Sequence, residues 1–112
     1  TGRTDGFEPD PRRDEGGHAG LECADGVNVG GAGAVVDSVT LYDAGEFEAL
    51  EARLWALDTP TADSENNRGC ALARLGKKDK ALAAFRRGLE LPTDSDSRER
   101  IERNIERVEQ AS

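Results

Sequence analysis

Apolar residues recur at helical spacing from residue 32 to the C-terminus. Leu50, Leu54 and Leu57 fall at i, i+4 and i+7, which places them on one face of a helix. A second stripe near the C-terminus, with arginine and glutamate around it, consists of Ile101, Ile105 and Val108. The spacing predicts an amphipathic helix over residues 95–110, and the stripe is too short for a coiled coil.

Residues 62–92 combine small, apolar and turn residues at fixed intervals. The positions that match the pattern W-x2-L-G-x2-Y, A-x3-F and P are Gly69, Leu72, Ala81, Phe85 and Pro92. On these residues the segment resembles a tetratricopeptide (TPR) repeat. The resemblance implies two antiparallel helices that approach closely at Gly69, with Phe85 between them and Gly76 ending the first helix in a left-handed conformation. Glu65 and Arg68 stand where the pattern has Trp and Leu.

Residues 32–60 resemble a degenerate copy of the same repeat. The corresponding small, apolar, turn and stop residues are Ser38, Leu41, Gly45, Ala49 and Pro60. Arg53 takes the place of Phe85, so leucines are expected to do the packing on this helix. Trp55, the one tryptophan, lies off the leucine stripe. Two interpretations stay open for it: packing against the next helix, or stacking on a ligand.

The sequence therefore predicts an all-α fold in residues 32–112. It would contain antiparallel helix pairs from about two TPR-like repeats and a capping helix that covers the last apolar face. Residues 1–31 hold eight of the 13 glycines and seven acidic against three basic residues, so we expect a disordered acidic tail. Its clustered apolar residues, from Leu21 to Val29, offer an alternative: a short extended piece that docks on the helices.

The charge distribution limits the classes of partner. A formal net charge of −8 argues against nucleic-acid binding, which needs a basic surface. Residues 62–92 nevertheless hold seven basic and four acidic side chains. This local positive zone is either a solvated surface or a dock for an acidic segment, such as Asp5 to Glu15 of this chain. It comprises Arg74, Lys77, Lys80, Arg86, Arg87 and Lys78.

The ends and the hydropathy of the chain suggest its setting. No apolar run approaches the length of a membrane span, and the N-terminus lacks the order of a signal peptide. We therefore expect a soluble, cytoplasmic protein that does not bind membranes. Because the chain begins at Thr1 rather than methionine, we expect a fragment or a processed form.

Catalytic and cofactor motifs are not found in the sequence. His18 lies near Cys23, but a metal site needs several ligands held by structure, so no metal site is predicted. Gly30, Gly31 and Gly33 are interpreted as a linker rather than as a dinucleotide loop. We predict a protein that is not an enzyme and binds no cofactor. Cys70 is interpreted as a small buried filler, with a bridge to Cys23 as the alternative.

The TPR resemblance implies a scaffold that binds a protein or peptide on its concave surface. By register, that partner-binding surface would comprise Val35, Val39, Tyr42, Asn66, Cys70, Ala73 and Arg74. It would suit a short amphipathic segment whose acidic end meets Arg74. Asn66 and Asn67 stand where such repeats often carry an asparagine that fixes a peptide backbone.

Two alternatives to this partner-binding hypothesis remain at the level of the sequence. In the first, the protein is an accessory or structural subunit that self-associates as a homodimer or completes its core on a larger partner. That contact would bury Val35, Val39 and Tyr42. In the second, the segment from Leu21 to Val29 fills the groove of its own chain and makes the protein autoinhibited.

Overall fold

The computed structural model describes residues 20–29 and 36–110, and all regular secondary structure within them is helical. The all-α prediction is confirmed. The helices are α1 Ser38–Asp43, α2 Phe47–Trp55, α3 Ala62–Arg74, α4 Lys78–Glu90 and α5 Ser95–Gln110. The last of these has the bounds expected for the capping helix. None of the helices in the described residues is long and apolar enough to cross a lipid bilayer.

Several expectations from the sequence fall on residues outside the described ranges. They concern the tail at residues 1–19, the glycine-rich residues 30–33, and the individual candidates His18 and Val35. Residues 27–29 approach residues 36–38 in a single antiparallel pairing, with the Val29 amide donating to the Val36 carbonyl at 2.8 Å.

Helix α3 is the central element, since it contacts each of the other four helices and packs most extensively on α4. It begins at a capping box: Thr61 Oγ1 accepts a hydrogen bond from the Ser64 amide at 3.0 Å, and Ser64 Oγ accepts one from the Thr61 amide at 2.8 Å. It ends before Gly76, whose φ of +80° is a conformation that glycine adopts without strain. Gly45, with a φ of +79°, ends α1 in the same way. Both turns expected from the sequence are confirmed.

The α3–α4 pair is held by the contact predicted between Gly69 and Phe85. Phe85 is fully buried, and a Cβ placed on Gly69 would lie 2.6 Å from two carbons of its ring. Ile101 and Val108 of α5 join the same apolar core. A second apolar cluster consists of Leu50 and Leu54 of α2, Ala71 of α3, and Val29, which precedes the helices. Helix α3 therefore contributes residues to both apolar clusters.

A network of charged side chains occupies the places where the repeat pattern has Trp and Leu. The Arg68 guanidinium donates to the Glu65 carboxylate at 2.9 Å and to Glu51 of α2 at 3.2 Å. It also lies 4.4 Å from the centre of the Trp55 ring. Glu65 is buried with this partner, which satisfies its charge. Trp55 therefore contacts the next helix through Arg68 and stays 60 % exposed.

Gly69→Ala is expected to destabilise the protein by roughly 1 to 3 kcal/mol, because the new methyl group would overlap the Phe85 ring. The free energy of unfolding should be measured by urea denaturation for Gly69→Ala, for Phe85→Leu and for the double variant. Leucine lacks the ring, so the penalty of Gly69→Ala should shrink in the Phe85→Leu background. Strictly additive penalties would contradict this account of the contact.

Candidate functional site

Residues 20–29, which we term the docked segment, lie against the helices. Leu21 and Cys23 pack on the core that contains Phe85, while Val27 and Val29 pack on the core around Leu50. Ala24, between the two pairs, is only 2 % exposed. The docking that the sequence left open as an alternative is therefore present.

Two asparagine side chains hold the main chain of the docked segment. Asn104 of α5 accepts a hydrogen bond from the Glu22 amide at 2.9 Å and donates one to the Glu22 carbonyl at 2.9 Å. Asn67 of α3 accepts one from the Ala24 amide at 2.7 Å and donates one to the Ala24 carbonyl at 2.9 Å. In an extended chain, residues two apart present their main-chain groups on the same side. The two side chains therefore contact alternate residues of one edge of the segment.

A third asparagine, Asn66, links these two amides. It accepts a hydrogen bond from Asn104 Nδ2 at 2.7 Å and donates to Asn67 Oδ1 at 3.1 Å and to the Glu22 carbonyl at 2.8 Å. Asn67 Nδ2 also donates to Ser38 Oγ of α1 at 2.7 Å. We term Asn66, Asn67 and Asn104 the asparagine clamp. All three are fully buried, and their mutual hydrogen bonds fix the orientation of each amide.

An ion pair adds a side-chain contact to these main-chain contacts. Arg103 Nε and Nη2 donate to the two carboxylate oxygens of Glu22 at 2.8 and 2.9 Å. The hydrogen bond from Arg103 is the main cause that lowers the pKa of Glu22. Both side chains are partly exposed, so the pair contributes little free energy. Its bidentate geometry does select a carboxylate at this position.

The docked segment lies in a groove between α1, α3 and α5, and Cys70 forms part of its floor. Its Sγ lies 3.6 Å from the Glu22 carbonyl oxygen, and the side chain is fully buried. Burial raises the pKa of the Cys70 thiol well above its ordinary value, and the neighbouring Cys23 side chain adds to this effect. Both cysteines are free thiols in the structure. Cys70 therefore acts as a neutral packing group beneath the docked segment.

The other residues of the predicted partner-binding surface lie beside or behind this groove. Arg74 lies 5.6 Å from the centre of the Tyr42 ring and 4.9 Å from that of Phe47. Burial raises the pKa of the Tyr42 hydroxyl, which accepts a hydrogen bond from Arg74 at 3.4 Å. Ala73 is fully buried in the core, and Val39 is half-buried in the first turn of α1. Of the predicted set, Asn66 and Cys70 contact the docked segment, while Tyr42 and Arg74 contact each other.

The contribution of α5 to the groove was not predicted from the sequence. Asn104 lies three residues after Ile101 and four before Val108, so it interrupts the apolar face of that helix. A polar residue within an apolar stripe was the feature of the sequence that could have indicated a hydrogen-bonding role for α5. Arg103, rather than Arg74, meets the acidic side chain of the docked segment. Across residues 20–29 and 36–110, no three histidine, cysteine, aspartate or glutamate side chains converge as metal ligands.

Arg103→Gln is expected to raise the pKa of Glu22 toward its ordinary value, because it removes the largest cause of the lowering. Arg107→Gln should raise it less, since Arg107 acts only through weaker long-range charge attraction. NMR titration of the Glu22 carboxyl group measures both effects. A Glu22 pKa that does not respond to Arg103→Gln would contradict the observed pairing.

The lowered pKa also sets the pH dependence of this contact. Because the folded-state pKa of Glu22 is below that of the unfolded chain, the contact stabilises the protein fully above the ordinary value of about 4.3. The stabilisation is lost as the pH falls through the lowered pKa. The contribution of this ion pair to the docked segment is thus expected to decrease at acidic pH, while the hydrogen bonds of Asn67 and Asn104 remain.

No protein-family model matches this chain, and the comparisons with curated proteins and with solved structures also give no match. The asparagine clamp and the segment that it holds are therefore the basis for assigning a function.

Proposed function

We propose that this protein is an interaction module that binds an extended segment of another protein in the groove between α1, α3 and α5. The docked segment occupies that groove within the chain and would be exchanged for the partner. The observation that carries the proposal is the pair of two-point contacts from Asn67 and Asn104 to the main chain of Ala24 and Glu22. Main-chain groups are common to all sequences, so the same contacts can hold a different segment.

The architecture supports a TPR-like interpretation of the module. This repeat family would require two helix pairs with glycine turns, a close approach of the kind seen between Gly69 and Phe85, and a closing helix. The chain has all three features. That interpretation implies that the protein is a scaffold and not an enzyme. The self-association alternative gains less support, because Tyr42 already contacts Phe47 and Arg74 within the chain.

The side chains of the docked segment define the chemistry of the partner. Arg103 favours a carboxylate at the position of Glu22, and the near-complete burial of Ala24 limits the residue two places later to a small one. Apolar residues suit the positions of Val27 and Val29. We infer a partner segment with an acidic residue, a small residue two places on, and apolar residues beyond.

The groove can lose the docked segment without leaving its amides unpaired. The hydrogen bonds from Asn104 to Asn66, from Asn66 to Asn67 and from Asn67 to Ser38 lie within the helical domain. The remaining amide groups would face an open groove and bond to water, which avoids most of the penalty of buried unpaired groups. Because the docked segment is tethered, its effective concentration is high, on the order of millimolar, and a partner must outcompete it.

The exchange can be tested with the full chain carrying Ala24→Glu. The buried Ala24 site has no room for a glutamate side chain, so this change should release the docked segment. A fluorescein-labelled peptide with the native sequence of residues 20–29 should then bind the variant, as measured by fluorescence anisotropy. The unchanged protein should bind the same peptide more weakly, because its own segment competes.

Two controls test whether the peptide binds in the groove. A peptide that itself carries Ala24→Glu should not bind. Adding Asn67→Ala to the protein should weaken binding by about tenfold or more, because two hydrogen bonds to the peptide main chain are lost. A variant that keeps its helical circular dichroism but does not bind the native peptide would contradict the proposal. Unfolding of the Ala24→Glu variant would also contradict it, because the helices would then depend on the docked segment to stay folded.

A further inference from the structure

A second surface lies between α2, α3 and α4, away from the asparagine clamp. It is a cleft of about 530 Å³, and none of its lining residues forms a hydrogen bond with the docked segment. We term it the basic cleft. Its charged and aromatic lining consists of Glu51, Trp55, Arg68, Lys77, Lys80 and Arg87. Four cationic side chains and one carboxylate thus line a cleft on a chain whose net charge is −8.

Trp55 is an exposed aromatic side chain held in a fixed position. At 60 % exposure, it is the one large hydrophobic side chain among the described residues that is strongly exposed. Arg68 lies over its ring at 4.4 Å and is itself held by Glu51 and Glu65. An exposed ring with fixed surroundings is typical of an aromatic anchor at a protein interface, since little side-chain entropy is lost when it is covered.

Three cations, one just before α4 and two within it, form a row along the same cleft. Lys77, Lys80 and Arg87 are exposed and form no salt bridge with the described residues. The first and last are ten residues apart, which is about 15 Å along a helix. That length is too great for one small anion and matches an extended chain of about five residues. The overall negative charge of the protein disfavours nucleic acid as the ligand.

We propose that the basic cleft binds an acidic segment of a partner protein. Carboxylates of that segment would pair with Lys77, Lys80 and Arg87, and an aromatic or apolar side chain would lie on Trp55. The charges accelerate the encounter and select the partner, and the tryptophan supplies the buried area that holds it. This site is separate from the groove, so either site can bind a partner without the other.

The only tryptophan of the chain serves as the reporter for a test. The probe is a synthetic peptide that has glutamate and aspartate on both sides of one phenylalanine and contains no tryptophan. Titration into the full chain should give a saturable change in Trp55 fluorescence. A matched peptide with glutamine and asparagine in place of the acids should bind about tenfold more weakly or less.

Charge reversal at two exposed arginines distinguishes the cleft from general attraction. Arg87→Glu, in the cleft, should weaken binding by about tenfold, whereas Arg98→Glu, on α5 outside the cleft, should change it by less than about twofold. Lys80→Glu provides a second variant in the cleft if circular dichroism shows that Arg87→Glu disturbs the helices.

Three outcomes would overturn the proposal. They are the absence of a saturable Trp55 response, equal weakening by Arg87→Glu and Arg98→Glu, and a Trp55 signal that changes with protein concentration alone. The last outcome would identify a second copy of the chain as the occupant.

Discussion

Buried amide groups need hydrogen-bond partners, and this requirement connects the helices to the docked segment. Three asparagines lie fully buried where α3 meets α5, and helices alone leave part of their hydrogen-bonding capacity unused. The main chain of Glu22 and Ala24 supplies the missing donors and acceptors at 2.7 to 2.9 Å. The same hydrogen bonds pair the peptide groups of the docked segment, which is extended there without being part of a sheet. The same contacts therefore explain the burial of the asparagines and the position of the segment.

Helix α3 places different chemistry on each of its faces. Asn66 and Cys70, four residues apart, face the groove, and Gly69 faces Phe85 of α4. Arg68 faces α2 and Trp55. Because the whole helix is surrounded, ten of its 13 residues are buried even though several are polar. The periodicity of a single helix thus brings the groove, the core around Phe85 and the basic cleft into one small domain.

Much of the fold could be predicted because its signals are local. Glycine turns, the Gly69–Phe85 spacing and the apolar stripe of the last helix each depend on residues within one helix or one helix pair. The groove could be predicted only in part, because the contacts of Asn104 with Glu22 span 82 residues. The exposure of Trp55 could not be predicted from the sequence either, since it depends on the network that holds Arg68 over the ring. The TPR-like register put Asn66 and Cys70 on one face of the helix, and both contact Glu22 of the docked segment.

The central claim is that the docked segment leaves the groove while the helices stay folded. Native-state hydrogen exchange of the Ala24 and Glu22 amides, both of which donate to the asparagine clamp, tests it most directly. These two amides are predicted to open with a clearly smaller free energy than the amides in the middle of α3 and α4. Exchange of all these amides with one common free energy, equal to that of global unfolding, would contradict it.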